Sequence, residues 1–167
     1  MTEGENHHHQ GGCYCGTVRF AAEADPQFTM VCHCSICRRL QGSAMGAPAT
    51  FFPVNGFRVT QGDEHLGEFL SPRNYSRVFC KKCGSRLWMG FEKCDLDIPM
   101  VAVYTTNLDE VVHADGLHGA FEPAAHAFYA DRLYDCLDGK TKFVDMAADF
   151  GGSGHQLSDR GVPVSTD

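Results

Sequence analysis

The segment Arg77-Val78-Phe79-Cys80-Lys81-Lys82-Cys83-Gly84-Ser85-Arg86-Leu87-Trp88-Met89-Gly90-Phe91 reads as a hairpin whose loop is built to hold a metal ion. Residues 77–80 and 85–91 have strand character, and the stretch between them places two cysteines two residues apart, followed by a glycine. Such a pair wraps the backbone around one cation, and the glycine suits the left-handed or crowded conformation that this knuckle requires. A four-coordinate ion then needs further ligands from elsewhere in the chain. They are available in Cys13-Tyr14-Cys15 and in Cys32-His33-Cys34-Ser35-Ile36-Cys37.

Spacing sorts these cysteines into two sets. In an extended Cys-x-Cys both side chains point to one face, with Cα atoms about 7 Å apart, so two thiolates can converge on one ion. Tetrahedral Zn²⁺, at about 2.3 Å from each sulfur, needs sulfurs about 3.8 Å apart. Seven ligands cannot close two four-ligand sites. Cys32, Cys34 and Cys37 are near enough in sequence to share one ion, which leaves Cys13, Cys15, Cys80 and Cys83 as a closed, structural site. The three-cysteine site keeps an open position, as catalytic zinc sites do. Two Zn²⁺ per chain are therefore expected, one structural and one catalytic.

Other readings of the cysteines are disulfides, or closure of the second site by His33, His126 or Cys94. Tight clustering, an odd total of nine cysteines and the lack of a secretory leader argue against disulfides. If Cys32 to Cys34 is extended, His33 points away from both neighbouring sulfurs. His126 reads as a satisfied core histidine, and Cys94 and Cys136 as unligated thiols.

With 167 residues, 43% of them hydrophobic, the chain is long enough for one compact domain. That domain is expected over residues 11–145, between a polar tail at 1–10, which carries His7, His8 and His9, and a Gly-, Ser- and Asp-rich mobile tail at 146–167. A formal charge of −7, made more negative by thiolate ligation, disfavours nucleic acid and anionic membrane surfaces. No apolar run reaches the length of a bilayer span. A cytoplasmic protein is expected, since that compartment keeps thiols reduced.

Alternating or continuous apolar runs predict strands at 17–22, 44–52, 57–60, 65–70, 100–106 and 125–130. Gly62 and Asp63 predict a hairpin turn between two of these. Short helices are expected through Arg38 to Gln41 and near Leu133 to Leu137. The fold class is thus mostly β, with one or two short helices.

Taken together, Gly12-Cys13-Tyr14-Cys15-Gly16, Cys32-His33-Cys34-Ser35-Ile36-Cys37-Arg38-Arg39 with Gly42, and Phe79-Cys80-Lys81-Lys82-Cys83-Gly84-Ser85 resemble the glutathione-dependent formaldehyde-activating enzyme and centromere protein V family. The resemblance extends over residues 11–143 and includes Asn107-Leu108-Asp109 and Pro123 with His126. It departs at Tyr134-Asp135, where family members often carry tryptophan. It implies a β-tent fold of several small antiparallel sheets, with a structural zinc on four cysteines and an active-site zinc on three. The function expected is a carbon-sulfur lyase or adduct-forming enzyme that acts on glutathione, or a related thiol, joined to a small carbonyl compound. Arg38 and Arg39 are candidates to bind the carboxylates of that thiol, with Cys32, Cys34 and Cys37 at the catalytic centre. The rival expectation is a non-catalytic zinc module that binds a protein partner.

Overall fold

The computed structural model describes residues 9–93, 98–111 and 119–164. In chain order its regular elements are β1 (His9–Gly12), β2 (Arg19–Ala22), β3 (Phe28–Cys32), α1 (Ser35–Gln41), β4 (Ala47–Pro53), β5 (Phe57–Gln61), β6 (Leu66–Ser71), β7 (Tyr75–Cys80), β8 (Arg86–Gly90), β9 (Met100–Tyr104), β10 (Ala125–Ala127), β11 (Thr141–Phe143) and β12 (Gln156–Leu157), with single 3₁₀ turns between some of them. The protein is mostly β, as its sequence predicts. Packing divides it into two compact units, residues 1–28 with 50–121 and residues 29–49 with 122–167. No helix among the described residues is long and apolar enough to cross a membrane.

In the first unit β1, β2 and β5 form an antiparallel three-stranded sheet. Strands β6 to β9 pair in succession as an antiparallel meander. Val18, Phe20, Phe52, Leu87, Trp88, Val101 and Val103 make the core, and Cys13 and Cys80 belong to the same buried cluster. Trp88 meets Phe20 and Phe57 edge-on, with centroids 5.7 and 5.1 Å away. The expected hairpin across Gly62 and Asp63 does not form, because β5 pairs with β2 while β6 pairs with β7. Gly62 is left-handed (φ 76°) and lies against the Thr17 carbonyl with no room for a side chain, and the 3₁₀ turn that follows it redirects the chain.

In the second unit β10 runs parallel to β3, with His126 opposite Val31 and Ala127 opposite Cys32, and parallel to β11 on its other side. Strand β12 pairs antiparallel with β11. The predicted helix near Leu133 to Leu137 is absent. That segment is an irregular loop held by the Arg132–Asp135 ion pair and by the Cys136 amide, which donates to Tyr129 Oη at 2.7 Å.

Residues 146–164, which composition alone reads as a tail, carry β12 and are anchored by polar contacts. Asp145 Oδ1 accepts from Met146 N, Ser153 N and Ser153 Oγ, and Tyr129 Oη donates to the Asp159 carbonyl at 2.6 Å. At the other end His9 and Gln10 open β1, with His9 buried against Phe52 and Phe121.

The main polar anchor of this unit is Lys142, whose side chain is fully buried. Its Nζ lies 2.5 Å from Asp138 Oδ1 and 2.7 Å from Asp159 Oδ1, and donates to the Lys140 carbonyl at 3.0 Å. Burial works against the ammonium, but its hydrogen bonds to Asp138 and Asp159 outweigh it and raise the pKa above the ordinary lysine value. A raised folded-state pKa contributes stability that is fully present below the unfolded value of about 10.4 and fades as pH rises through the folded one. Lys142→Met should therefore cost about 2–3 kcal/mol at neutral pH, below the range for a fully buried pair because both carboxylates are partly exposed. In melts at increasing pH, the gap between wild type and variant should hold to about pH 10 and then narrow. A gap independent of pH would remove the ion pair from the account.

Candidate metal centres

Cys13, Cys15, Cys80 and Cys83 bring their sulfurs within 4.8 Å of one another. Cys80 ends β7 and Cys83 lies in the loop that leads to β8. Gly84 N donates to the Cys80 carbonyl at 2.8 Å, and Gly84 has the left-handed conformation (φ 76°) expected of the knuckle. The Cys13–Cys15 segment forms a matching turn, in which Gly16 (φ 74°) donates to the Cys13 carbonyl at 3.0 Å. The Cys13–Cys15 and Cys15–Cys80 sulfur separations are 3.5 and 3.9 Å, bracketing the roughly 3.8 Å edge of a zinc-sulfur tetrahedron.

The surroundings of this cage favour thiolate. Val18 N points at Cys13 Sγ from 3.2 Å, and Ser85 Oγ lies 3.2 Å from Cys83 Sγ while accepting from Tyr14 N. Burial works against ionisation of Cys83, but its bonds to Ser85 and Cys15 bring it down to about 6, and Thr17 lowers Cys15. Burial pushes Cys80 up to about 11, so its thiol needs a cation beside it to ionise. The donor chemistry and spacing fit Zn²⁺. Trp88 shares the core cluster with Cys13 and Cys80. Phe79 stacks under Arg86, and Phe91 packs on Phe51 and Tyr75.

Cys32, Cys34 and Cys37 form a second group within the same 4.8 Å limit. Cys32 ends β3, Cys34 caps α1, and Cys37 lies one turn into the helix, with its amide donating to Cys34 Sγ at 3.3 Å. Cys34 accepts from the Cys32 and Cys37 thiols and from backbone amides, which lowers it to about 2, while Cys32 is pushed up by donating hydrogen bonds to Cys34 and Cys37 and by burial. No fourth His, Cys, Asp or Glu joins this group among the described residues. Cys94, which the sequence offers as a closing ligand, lies outside the described residues.

His33 and His126 do not join the three sulfurs. His33 Nε2 and His126 Nδ1 are 2.8 Å apart, and His126 Nε2 is 2.8 Å from Asp138 Oδ2. Burial, reinforced by nearby positive charge, brings His33 down to about 4. Asp138 is held well below the usual carboxylate range, because hydrogen bonds from Lys142, His126 and the Lys140 amide outweigh its burial. Of the two arginines, Arg38 is half-buried and its Nε donates to the His33 carbonyl at 2.9 Å, whereas Arg39 is exposed.

The family model described as glutathione-dependent formaldehyde-activating enzyme matches residues 8–131, which include all seven clustered cysteines. The chain belongs to this family. Among curated relatives, an uncharacterized lyase of Schizosaccharomyces pombe is 27% identical over 88 residues, covering 50% of this chain and 58% of its own. A Halomonas elongata protein named "Putative glutathione-dependent formaldehyde-activating enzyme" is 32% identical over 88 residues, covering 48% and 54%. The chain thus spans just over half the length of these two relatives. The crystal structure of a Rhodobacter sphaeroides protein superposes with a TM-score of 0.52 at 27% identity, covering 64% of this chain and 93% of that one.

Proposed function

We propose that the chain is a cytoplasmic zinc-dependent enzyme of the β-tent kind that makes or breaks a carbon-sulfur bond between a thiol, such as glutathione, and a small carbonyl compound. The reading is carried by the inequality between the two cages: four convergent sulfurs in one and three in the other. Zn²⁺ held by Cys32, Cys34 and Cys37 would have a coordination position free and would lower the pKa of a thiol bound there.

Arg38 supplies orientation. Its Nε is committed to the His33 carbonyl, which fixes the guanidinium beside the Cys32–Cys34 segment and leaves its terminal nitrogens for a substrate carboxylate. Arg39 is exposed on the same helix and would take a second carboxylate. Glutathione carries two carboxylates, and two guanidiniums suit such a ligand. Family membership and the names of the relatives support this substrate class.

The test is spectroscopic. In the Co²⁺-substituted protein, added glutathione should change the visible spectrum of wild type, and the change should be lost in Cys37→Ser. An unchanged wild-type spectrum would favour a non-catalytic zinc module that binds another protein.

A further inference from the structure

Outside both thiolate cages, His33, His126 and Cys136 each present a ligand atom, and all three atoms lie within 4.8 Å of one another. The proposed reaction uses none of these side chains. Strand pairing and local bonds bring them together: His33 follows β3 and donates its amide to the Ala127 carbonyl, His126 lies on β10, and Tyr129 Oη holds the Cys136 amide. His33 and His126 are 1% and 4% exposed, and Cys136 is half-buried.

Two features go beyond what packing requires. First, the Asp138 carboxylate accepts from His126 Nε2, which places that ring's proton on Nε2 and leaves the Nδ1 lone pair directed into the cluster. A carboxylate behind an imidazole is the outer arrangement that orients metal-bound histidines. Second, His33 Nδ1 is buried with no hydrogen-bond partner, so the hydrogen bonding of this ring rests on its contact with His126, the contact that a bound cation would replace. Of the positive charges near His33, Lys142 is paired with Asp138 and Asp159, and Arg132 with Asp135, which moderates their repulsion of a cation.

We propose that His33, His126 and Cys136 form a third cation site, one that takes a borderline-soft divalent ion such as Zn²⁺ through two imidazole nitrogens and one thiolate, with water as the fourth ligand. On binding, the Cys136 thiol loses its proton to solvent as the sulfur-metal bond forms. His33 then carries its single proton on Nδ1, freeing Nε2 to ligate. The two nitrogens, 2.8 Å apart, must separate to the roughly 3.3 Å edge of a tetrahedron with 2.0–2.1 Å bonds. The rings are inclined by 28° with centroids 5.0 Å apart, and the separation needed is about half an ångström. This site stands independently of the thiol chemistry proposed above.

The experiment compares wild type and Cys136→Ser, both full-length and loaded with Zn²⁺, by native mass spectrometry. The expected result is one ion fewer in the variant. Because the difference is read and not the total, the occupancy of the three-cysteine cage does not enter. In parallel, iodoacetamide labelling of the loaded wild type should modify Cys136 about tenfold more slowly than after that one ion is chelated. Equal ion counts in the two proteins, or Cys136 labelling at the same rate with and without the ion, would overturn the site. Should Cys136→Ser fail to fold, the wild-type labelling decides.

Discussion

Cys80→Ser is expected to unfold the chain under conditions in which the wild type is intact. Cys80 is fully buried, ends β7, and lies in the same apolar cluster as Phe20, Leu87 and Val103. A cage of this kind does not preexist in the unfolded chain, so its metal affinity, about 10–16 kcal/mol in small zinc domains, is folding free energy. That is as large as the whole net stability of a typical domain, about 5–15 kcal/mol. Losing one of four ligands, and leaving a serine hydroxyl buried in its place, should remove several kcal/mol. For a chain of this size about 4 kcal/mol corresponds to a fall in Tm of roughly 10 °C. Thermal melts followed by circular dichroism test this, and a variant that melts within a few degrees of wild type would refute a structural role for this cage.

The second large effect is on activity, with little change in fold. Cys37→Ser should leave a folded protein that has lost the metal of the three-cysteine cage. Its turnover of a glutathione-formaldehyde adduct should fall by more than the roughly 10–100-fold typical of losing a group that only orients a ligand. Stability should change little, because the surrounding unit is held by β3, β10 and β11 and by the Lys142–Asp138–Asp159 ion pairs. Metal analysis, a melt and an activity assay on one preparation check all three expectations. If Cys37→Ser and Cys80→Ser prove equally destructive in melts, the division of labour between the cages is wrong.

The cysteine groups were legible because closely spaced pairs of thiols are a short-range signature in the sequence. Cys80 to Gly84 predicted both the hairpin and the left-handed glycine, and in the fold seven cysteines gather into one group of four sulfurs and one of three. The β7–β8 hairpin and α1 were equally readable, since a turn and a cap are decided by neighbouring residues.

Long-range pairing was not legible. Whether β5 turns back on β6 or joins β2 depends on the crowding of Gly62 against Thr17, forty-odd residues away from it in sequence, which no local pattern encodes. The same holds for Asp138, Lys142 and Asp159. Each reads as an ordinary surface charge, and only the fold shows that they lock His126 and anchor residues 146–164. Cys136 had no cysteine neighbour to mark it as a ligand, and its histidine companions are 103 and 10 positions away by number.

The most direct test of the central claim is anomalous diffraction at the zinc edge from crystals soaked in glutathione. One peak should be bonded at about 2.3 Å to the sulfurs of Cys13, Cys15, Cys80 and Cys83 and to nothing else. A second should touch Cys32, Cys34 and Cys37 and take its fourth ligand from the soaked thiol. A map in which the three-cysteine peak is missing from fully loaded protein, or is closed by a fourth side chain of this same chain, would contradict it.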